Sequence, residues 1–161
     1  MNVNKLNILF IGDANSVHDI KWVELLANNN SFKMFFLPTC DINKENLKLY
    51  GEEKLKNISF LEPISNFTLL RFNKFIKNRH YLNSIIKNNN IDILHVSFAA
   101  PNSLWSLFLN NKKVKTVITF HGSDLLVVIP ELLKRKGIRS IYNKFLWKLF
   151  KKTFLKADLI S

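Results

Sequence analysis

The sequence predicts an α/β fold, a three-layer αβα sandwich in which helices cover both faces of a parallel sheet. Short segments rich in β-branched and aromatic residues alternate with amphipathic helical segments, and the connections between successive strands are too long for hairpins. With 161 residues, of which 47% are apolar, the chain is long enough to bury one core. We therefore expect a single domain over residues 1–161.

The first half of the chain begins with a strand and a well-marked helix. The apolar run Leu6–Ile11 predicts the first strand, which ends at Gly12. Ser16 is a good N-cap residue, and Asp19 three residues later resembles the second member of a capping box. Apolar residues then recur at helical spacing, namely Val17, Ile20, Val23, Leu26 and Ala27. The next predicted elements are a strand at Phe32–Leu37, a short polar helix or loop at 41–50 and a strand at Asn57–Leu61.

The second half repeats this alternation. A helix over about Leu69–Lys87 is predicted to bury Phe72, Phe75, Ile76, Leu82, Ile85 and Ile86. A fourth strand at Ile91–Val96 leads to Pro101, which suits the first turn of a helix running through Phe108. Val114–Phe120 is the fifth predicted strand.

The last predicted helix runs from about Ile138 to Lys156. Its apolar residues recur every three or four positions and predict one continuous buried stripe of Ile138, Ile141, Tyr142, Phe145, Leu146 and Leu149. Residues 157–161 look like the start of another strand, which suggests that a longer protein continues beyond Ser161.

The end of the fifth strand is the candidate functional site. The segment is apolar up to Phe120 and then changes to residues that can bind protons, phosphates or hydroxyl groups, which are His121, Gly122, Ser123 and Asp124. In open α/β sheets, ligands bind outside the carboxyl ends of the strands. Gly122 can take a positive φ, and His121 can exchange a proton near neutral pH. The alternative is a plain turn with a hydrogen-bonded imidazole.

The Gly12 loop is a second candidate, because it precedes a helix whose first amides can bind an anion. No glycine follows Gly12 until Gly51, so the G-x-G-x-x-G spacing of nicotinamide and flavin dinucleotide sites is missing. His18 and Trp22 in that helix could face either the cleft or the core. The histidines are scattered at His18, His80, His95 and His121, so we predict no metal site and no cofactor.

The formal net charge of +12 favours polyanionic partners, although the richness in Asn, Lys, Ile and Phe could instead reflect the base composition of the coding sequence. No recognition-helix, RNA-binding or zinc signature accompanies the charge, so we do not expect a nucleic acid partner. The single cysteine, Cys40, cannot form an internal disulfide, and no apolar run is long enough for a membrane span. We therefore expect a cytoplasmic protein.

A series of short motifs occurs in a characteristic order. The motifs are the first strand with Gly12, Ser16-Val17-His18, Lys21-Trp22-Val23, Ile93-Leu94-His95-Val96, Thr119-Phe120-His121-Gly122-Ser123-Asp124 and Ala157-Asp158-Leu159-Ile160. In this order they resemble the N-terminal half of GT-B glycosyltransferases of family 4, and the most specific piece is Thr119 to Asp124. The resemblance implies one of two Rossmann-like domains that face each other across a cleft, with the acceptor bound chiefly by the N-terminal domain and the nucleotide-sugar donor by the C-terminal one.

The resemblance also implies retention at the anomeric carbon and roles for individual residues. The loop of Gly12 and Asp13 would bring backbone amides to the donor diphosphate, and His121 would hydrogen-bond the transferring sugar. The cleft on the acceptor side would include His18, Phe98, Gly122, Ser123 and Asp124. The family's donor-binding half is absent from these residues, so this chain by itself is expected not to transfer sugar.

The last predicted helix carries a basic stripe formed by Lys144, Lys148 and Lys151, with Trp147 beside it. Lysines flanked by aromatic residues are typical of a surface that rests on anionic lipid, and a lipid-linked acceptor would suit such a surface. The alternative is a solvated lysine face. A protein of this kind would lie in the cytoplasm or peripherally on the inner face of the cell membrane.

Three functions remain open at this stage. The first is the acceptor-binding domain of a retaining glycosyltransferase that uses a nucleotide sugar to build a cell-surface polysaccharide or glycolipid. The second is a non-catalytic acceptor-binding or membrane-binding subunit of a split glycosyltransferase. The third is a nucleotide-binding or nucleic-acid-binding α/β domain unrelated to sugars.

Overall fold

The computed structural model of the protein describes residues 5–43, 45, 51, 55–67, 69–134 and 138–161. The strands within these ranges are β1 (Leu6–Gly12), β2 (Phe32–Pro38), β3 (Ile58–Phe60), β4 (Ile93–Ser97), β5 (Lys115–Thr119) and β6 (Leu159–Ile160). All of their pairings are parallel, and the order across the sheet is β3-β2-β1-β4-β5-β6. The predicted α/β class with a parallel sheet is therefore confirmed. Most of the predicted helix or loop at 41–50 lies outside the described residues.

The helices connect successive strands. They are α1 (Val17–Ala27), α2 (Phe72–Asn88), the short α3 (Ala99–Asn102), a 3₁₀ helix at Ser103–Phe108, a π-helical turn at Asp124–Val128, α4 (Ile129–Lys134) and α5 (Ile138–Lys156). None of the helices in the described part of the chain is long and apolar enough to cross a bilayer.

The segment after β4 differs from the predicted regular helix. The Ala100–Pro101 peptide bond is cis, and Ala100 has the extended angles φ −103° and ψ 123° inside α3. The chain then continues as a 3₁₀ helix, which buries Leu104 and Trp105. Residues 124–134, for which no element was predicted, are helical.

Two cores lie on opposite faces of the sheet because successive strand residues point to opposite sides. Leu9 and Ile11 belong to the core that includes residues of α2, the 3₁₀ helix and α5, whereas Ile8 and Phe10 belong to the core under α1. Both faces are buried, as a parallel sheet requires. His95 lies on the α1 side, where its ring contacts that of Phe10.

The predicted buried stripe of α5 is wrong at two positions. Ile141 is 73% exposed and Phe145 is 48% exposed. The buried face is formed by Asn143, Leu146, Phe150 and Thr153. Apolar residues lie on every side of this helix, so their spacing alone does not select the face that packs.

Phe72, at the first turn of α2, was also predicted to be buried, and it is 65% exposed. Phe75 and Leu82, further along the same helix, are buried as predicted.

The sheet has a point at which its connections change direction. The chain proceeds from β1 outward to β2 and β3, and then returns to place β4, β5 and β6 on the other side of β1. The loops that leave β1 and β4 therefore diverge, and a crevice opens between the carboxyl ends of these two strands.

Candidate functional site

Asp19 closes the base of the crevice between β1 and β4. Its side chain is only 2% exposed. Its Oδ2 accepts a hydrogen bond from the amide of Asp13 at 2.7 Å, and its Oδ1 accepts one from the hydroxyl of Ser97 at 2.6 Å. These short distances are typical of hydrogen bonds to an ionised carboxylate. Asp19 thus joins α1 to the loop after β1 and to the end of β4.

Gly12 leaves the space that this carboxylate needs. A Cβ atom at position 12 would lie 2.6 Å from Asp19 Oδ2 and 2.7 Å from the ring of Phe10. Real Cβ atoms do not approach other atoms so closely, and both neighbours are held in the packed interior. The glycine at this position therefore permits the close approach of a buried acid to the loop.

The loop after Gly12 uses much of its own backbone hydrogen-bonding capacity. The Asp13 amide is bonded to Asp19, the Asn15 amide to Asp13 Oδ1 at 2.8 Å, and the Ser16 amide to the Asp13 carbonyl at 3.0 Å. Ser16 caps α1, since its hydroxyl accepts a hydrogen bond from the Asp19 amide. The N-cap prediction is confirmed, but the Asp19 carboxylate points to the crevice and not back to the cap.

His121 lies directly beside the buried carboxylate. Its Nε2 is 2.6 Å from Ser97 Oγ and 3.4 Å from Asp19 Oδ1. The imidazole is 18% exposed, so one part borders the crevice while Nε2 faces the interior. The structure places this predicted residue at the carboxyl edge of the sheet, and its role in catalysis stays a prediction.

Two aromatic rings flank the imidazole of His121. The centroids of His18 and Phe98 each lie 6.0 Å from it. Phe98 adopts φ 56°, in the left-handed region, where a residue with a Cβ is strained by about 1–2 kcal/mol. Such strain at a residue bordering a crevice is typical of functional sites.

The turn after His121 completes this side of the crevice. Gly122 has φ 72°, as expected for a glycine in a tight turn, and the Ser123 amide donates to the His121 carbonyl at 2.7 Å. Asp124 begins the π-helical turn, and its side chain lies outside the described part of the structure. Of the predicted cleft residues, His18, Phe98 and His121 therefore come together, with Gly122 and Ser123 beside them.

His121 borders two concavities at this edge of the sheet. One has a volume of about 270 Å³ and is lined by residues that include Asp13, Ser16, Cys40 and Asn66. The other has a volume of about 490 Å³ and is lined by residues that include His18, Trp22 and Ser123. Two ligands could therefore approach the same imidazole from different sides.

A further cavity of about 700 Å³ lies at the opposite edge of the sheet. Its lining includes Asn83, Lys87, Asn110 and Lys113, and it includes no predicted site residue. Size alone would favour this cavity. Parallel sheets bind ligands at the carboxyl edge, however, and the smaller concavities there contain the buried acid and the imidazole.

The sequence comparison decides the family. Residues 7–160 match the family model described as glycosyl transferase 4-like, which is nearly the whole chain. The chain belongs to the glycosyl transferase 4-like family. It is a glycosyltransferase domain, and the resemblance carried by Thr119 to Asp124 is confirmed. A search of curated proteins found no match to the chain.

Burial raises the pKa of two groups at the site of the glycosyltransferase domain. Burial raises the pKa of the Asp19 carboxyl above its ordinary value, while hydrogen bonds from Ser97 and the Asp13 amide oppose that shift. Burial also raises the pKa of the Cys40 thiol, which donates to Asp13 Oδ1 at 2.9 Å. Burial thus favours the neutral form of both groups, while the short hydrogen bonds from Ser97 and the Asp13 amide favour the ionised form of Asp19.

A second histidine lies close to the first but in a different environment. His95 Nε2 is 2.8 Å from Thr119 Oγ1, which in turn is 2.7 Å from Ser161 Oγ. Burial lowers the pKa of His95 to about 4, so its imidazole is neutral at physiological pH. Trp22 packs edge-on over His95 and is itself 42% exposed, so it contacts the core and also lines the larger concavity of this edge.

Asp19 and Ser97 were not predicted as site residues of the glycosyltransferase domain. The sequence pattern assigns Asp19 to a capping box and gives Ser97 no role. One signal was present for Asp19, because it lies four residues before Val23 and next to Ile20, on the buried side of α1. A charged residue at such a position is nearly always paired or functional. Ser97 carries no comparable signal.

No group of three or more His, Cys, Asp or Glu side chains in the described ranges is arranged to hold a metal ion.

The basic face of α5 differs in one respect from its prediction. Lys144, Lys148 and Lys151 are exposed, but Trp147 is half-buried and packs against the core, with Lys151 Nζ 5.4 Å from its ring centroid. The large apolar side chains exposed on this helix are instead Ile141, Phe145 and Leu155. Lysines and exposed apolar groups thus share the outer surface of α5.

Proposed function

We propose that this domain forms the acceptor side of a retaining glycosyltransferase that moves a sugar from a nucleotide-sugar donor to a glycan or glycolipid acceptor. The position of His121 between two concavities at the carboxyl edge of the sheet is the observation that supports it best. A transferase must bring two substrates to one point, and a single residue that borders two binding spaces suits this requirement.

In this proposal His121 hydrogen-bonds the sugar that is transferred. The imidazole is held before any ligand arrives, by Ser97 at Nε2 and by the rings of His18 and Phe98 on either side. A preorganised group needs no rearrangement as charge develops in the transition state, and this is a large source of catalysis in enzymes.

We assign the donor diphosphate to the mouth of the loop of Gly12 and Asp13, next to the first turn of α1. The Asp13 amide is occupied by Asp19, but the amides of Val17 and His18 are the first two of the helix and have no carbonyl partner within it. The positive end of the helix dipole favours an anion at that point. The Asp13 and Asp19 carboxylates would keep the phosphates above the loop.

We assign the acceptor to the concavity lined by His18, Trp22 and Ser123. The exposed part of the Trp22 indole is a flat apolar surface against which the C–H face of a sugar ring can pack, and the imidazole and hydroxyl groups beside it can hydrogen-bond sugar hydroxyls. Gly122, in the turn beside this concavity, and Phe98, on the side of the smaller one, complete the proposed acceptor side of the cleft.

We also propose that the outer face of α5 rests on an anionic bilayer at the inner face of the cell membrane, where the enzyme would build a cell-surface polysaccharide. Lys144, Lys148 and Lys151 would contact lipid headgroups. The exposed side chains of Ile141 and Phe145 would enter the boundary with the acyl chains, and the half-buried Trp147 would contribute less. This arrangement would bring a lipid-linked acceptor to the crevice.

Vesicle sedimentation tests the membrane contact. Replacing Lys144, Lys148 and Lys151 together by Gln should weaken binding to vesicles containing phosphatidylglycerol about 10- to 100-fold, since each lysine contributes about 1 kcal/mol near an anionic surface. The matched control replaces Lys74, Lys77 and Lys87 of α2, which are also exposed, by Gln. Equal losses in both triple variants would mean that net charge and not this face determines the binding.

Transfer itself is tested on the complete gene product, including any residues encoded after Ser161. We expect one nucleotide sugar in a panel to support transfer, and an NMR spectrum of the product to show the anomeric configuration of the donor. Product of inverted configuration would contradict retention. The absence of both transfer and donor hydrolysis would contradict the proposal that the protein is a catalytically active transferase. A stop codon directly after Ser161 would favour the split, non-catalytic subunit. Nucleic acid binding with a steep salt dependence would favour the third function.

A further inference from the structure

We infer that Asp19, acting through Ser97, holds the imidazole of His121 in the tautomer that carries its proton on Nε2. Asp19 is thereby a positioning residue for the proposed transfer. The proton arrangement follows from the geometry alone, whereas its consequence for sugar transfer rests on the proposed function.

The number of protons that each group can donate determines the direction of these hydrogen bonds. An ionised carboxylate only accepts hydrogen bonds, and a serine hydroxyl has a single proton to give. Ser97 Oγ donates that proton to Asp19 Oδ1 at 2.6 Å. The Ser97 oxygen can then offer only a lone pair to His121 Nε2, which lies 2.6 Å away. The hydrogen bond between them therefore requires the proton to be on Nε2.

The hydrogen bond at Oδ2 of Asp19 supports the same donor and acceptor assignment. Oδ2 accepts from the Asp13 backbone amide at 2.7 Å, and a backbone amide can only donate. Both carboxylate oxygens are thus acceptors of short hydrogen bonds, which is the arrangement of an ionised acid. Two donors and the His121 ring nitrogen, 3.4 Å from Oδ1, oppose part of its desolvation.

The tautomer determines what His121 can recognise. With the proton on Nε2, the lone pair of a neutral imidazole is on Nδ1. A lone pair accepts a hydrogen bond from a hydroxyl group and repels a phosphate or carbonyl oxygen. A sugar hydroxyl that meets Nδ1 would therefore act as the hydrogen-bond donor, and Asp19 would enforce that direction without touching the sugar.

Replacing Asp19 by Asn should reverse the arrangement while keeping the shape of the side chain. The Asp13 amide still needs an acceptor, so the carboxamide oxygen must occupy the Oδ2 position, and the NH₂ group then occupies the Oδ1 position. The NH₂ group donates to Ser97 Oγ, and the Ser97 hydroxyl turns to donate to Nε2. His121 would consequently carry its proton on Nδ1.

The test is an NMR measurement of the complete gene product labelled with ¹⁵N in histidine, at about pH 8.5, where an ordinary imidazole is neutral. Protonated and unprotonated ring nitrogens have well separated ¹⁵N shifts, and assignments come from His95→Gln and His121→Asn. We expect the Nε2–H tautomer in the wild type and the Nδ1–H tautomer in Asp19→Asn. His95 provides an internal control, because no carboxylate belongs to its pair with Thr119 and its signals should be the same in both proteins.

An Nδ1–H tautomer in the wild type would overturn the inference, and this outcome does not require Asp19→Asn to fold. An unchanged tautomer in folded Asp19→Asn would also overturn it. Ser97→Ala should remove the influence of Asp19, so that adding Asp19→Asn to it changes the tautomer no further, whereas Ser97→Thr, which keeps a hydroxyl, should retain the wild-type form.

Transfer rates separate this inference from the proposed function. With a reversed tautomer we expect kcat/KM of Asp19→Asn to fall by about 10²- to 10⁴-fold, the range seen when a buried acid no longer sets a catalytic imidazole. A reversed tautomer with unchanged kcat/KM would overturn the role proposed for His121 and leave the proton arrangement standing. An unreversed tautomer would overturn the inference about Asp19 whatever the transfer rate.

Discussion

Two histidines lie at the same edge of this sheet, and each is hydrogen-bonded to a hydroxyl group of a neighbouring strand. His95 on β4 pairs with Thr119 on β5, while His121, just after β5, pairs with Ser97 on β4. The hydroxyl of Ser97 is bonded in turn to the buried carboxylate of Asp19. The hydroxyl of Thr119 is bonded to another hydroxyl, that of Ser161.

A hydrogen bond with a hydroxyl group is common to both histidines, so it does not by itself identify a functional one. His95 is packed between Phe10 and Trp22, and burial lowers its pKa to about 4, so it contributes as a neutral core residue. His121 is 18% exposed, borders two concavities and has an acid behind it. His121, the proposed catalytic residue, differs from the structural His95 in two ways: it borders concavities that a ligand can enter, and its hydroxyl partner is bonded to a carboxylate.

The largest expected effect comes from Asp19→Asn, which makes the His121 pair resemble the His95 pair. We expect transfer to fall by about 10²-fold or more while the fold is kept. Burial raises the pKa of Asp19 above its unfolded value, so this carboxyl favours the fold below about pH 4 and loses that contribution as the pH rises through its folded pKa. The variant should therefore unfold at the same or a higher temperature than the wild type at neutral pH, and its advantage should shrink toward pH 4.

Thermal unfolding at several pH values checks the stability half of this prediction, and donor turnover checks the other half. A clear loss of stability at neutral pH would mean that the hydrogen bonds of the carboxylate outweigh its desolvation. Asp19 would then be explained as a residue of the fold.

The next effect concerns His95, which should matter for stability in acid. Its folded pKa of about 4 lies below the unfolded value, so its contribution to stability is fully present above about pH 6.5 and is lost as the pH falls toward 4. The loss amounts to roughly 3 kcal/mol across that window. His95→Gln, which keeps an amide near the position of Nε2, should lack this part of the acid dependence.

Denaturant unfolding of both proteins between about pH 4 and pH 7 measures the difference. Parallel stability curves for wild type and His95→Gln would show that His95 is not the buried neutral group that the comparison requires.

A smaller effect is expected from Gly12→Ala, which tests the packing under the loop. The new Cβ would meet Asp19 Oδ2 and the Phe10 ring, and overpacking of this kind destabilises a protein by about 1–3 kcal/mol. Gly122→Ala is the matched control, because no atom lies within 4 Å of its Cβ position and only the strain of φ 72° remains. That strain costs about 1 kcal/mol.

Transfer assays separate the two glycine variants further. Gly12→Ala should disturb the Asp19 hydrogen bonds and so lower kcat as well as stability. If Gly12→Ala were no more destabilising than Gly122→Ala, the close approach of the carboxylate to the loop would be wrong.

The alternation of strands and helices was predictable from the sequence because each buried parallel strand is a short apolar run and each helix has a marked period. The position of His121 at the carboxyl edge was predictable for the same reason, since it follows the last apolar residues of a strand. The break in the helix after β4 was missed although it had a local signal, because a proline disfavours the helical conformation at the residue before it, here Ala100.

The contact between Asp19 and Ser97 could not be predicted from the sequence. Asp19 and Ser97 are 78 positions apart, and only the adjacency of β1 and β4 brings them together. The face on which α5 packs was also unpredictable, because Ile141 and Phe145 are as apolar as the residues that are buried. Contacts that depend on strand order or on the choice between similar helix faces require the tertiary structure.

The most direct test of this account compares kcat/KM for sugar transfer in His121→Ala and in His95→Gln, both made in the complete gene product. We predict a loss of about 10²-fold or more for His121→Ala, because a group acting in the transition state is removed, and a value close to the wild type for His95→Gln at neutral pH. Wild-type kcat/KM in His121→Ala, or an equal loss in both variants, would contradict the central claim. That claim is that His121, whose imidazole is linked through Ser97 to the Asp19 carboxylate, acts on the transferred sugar.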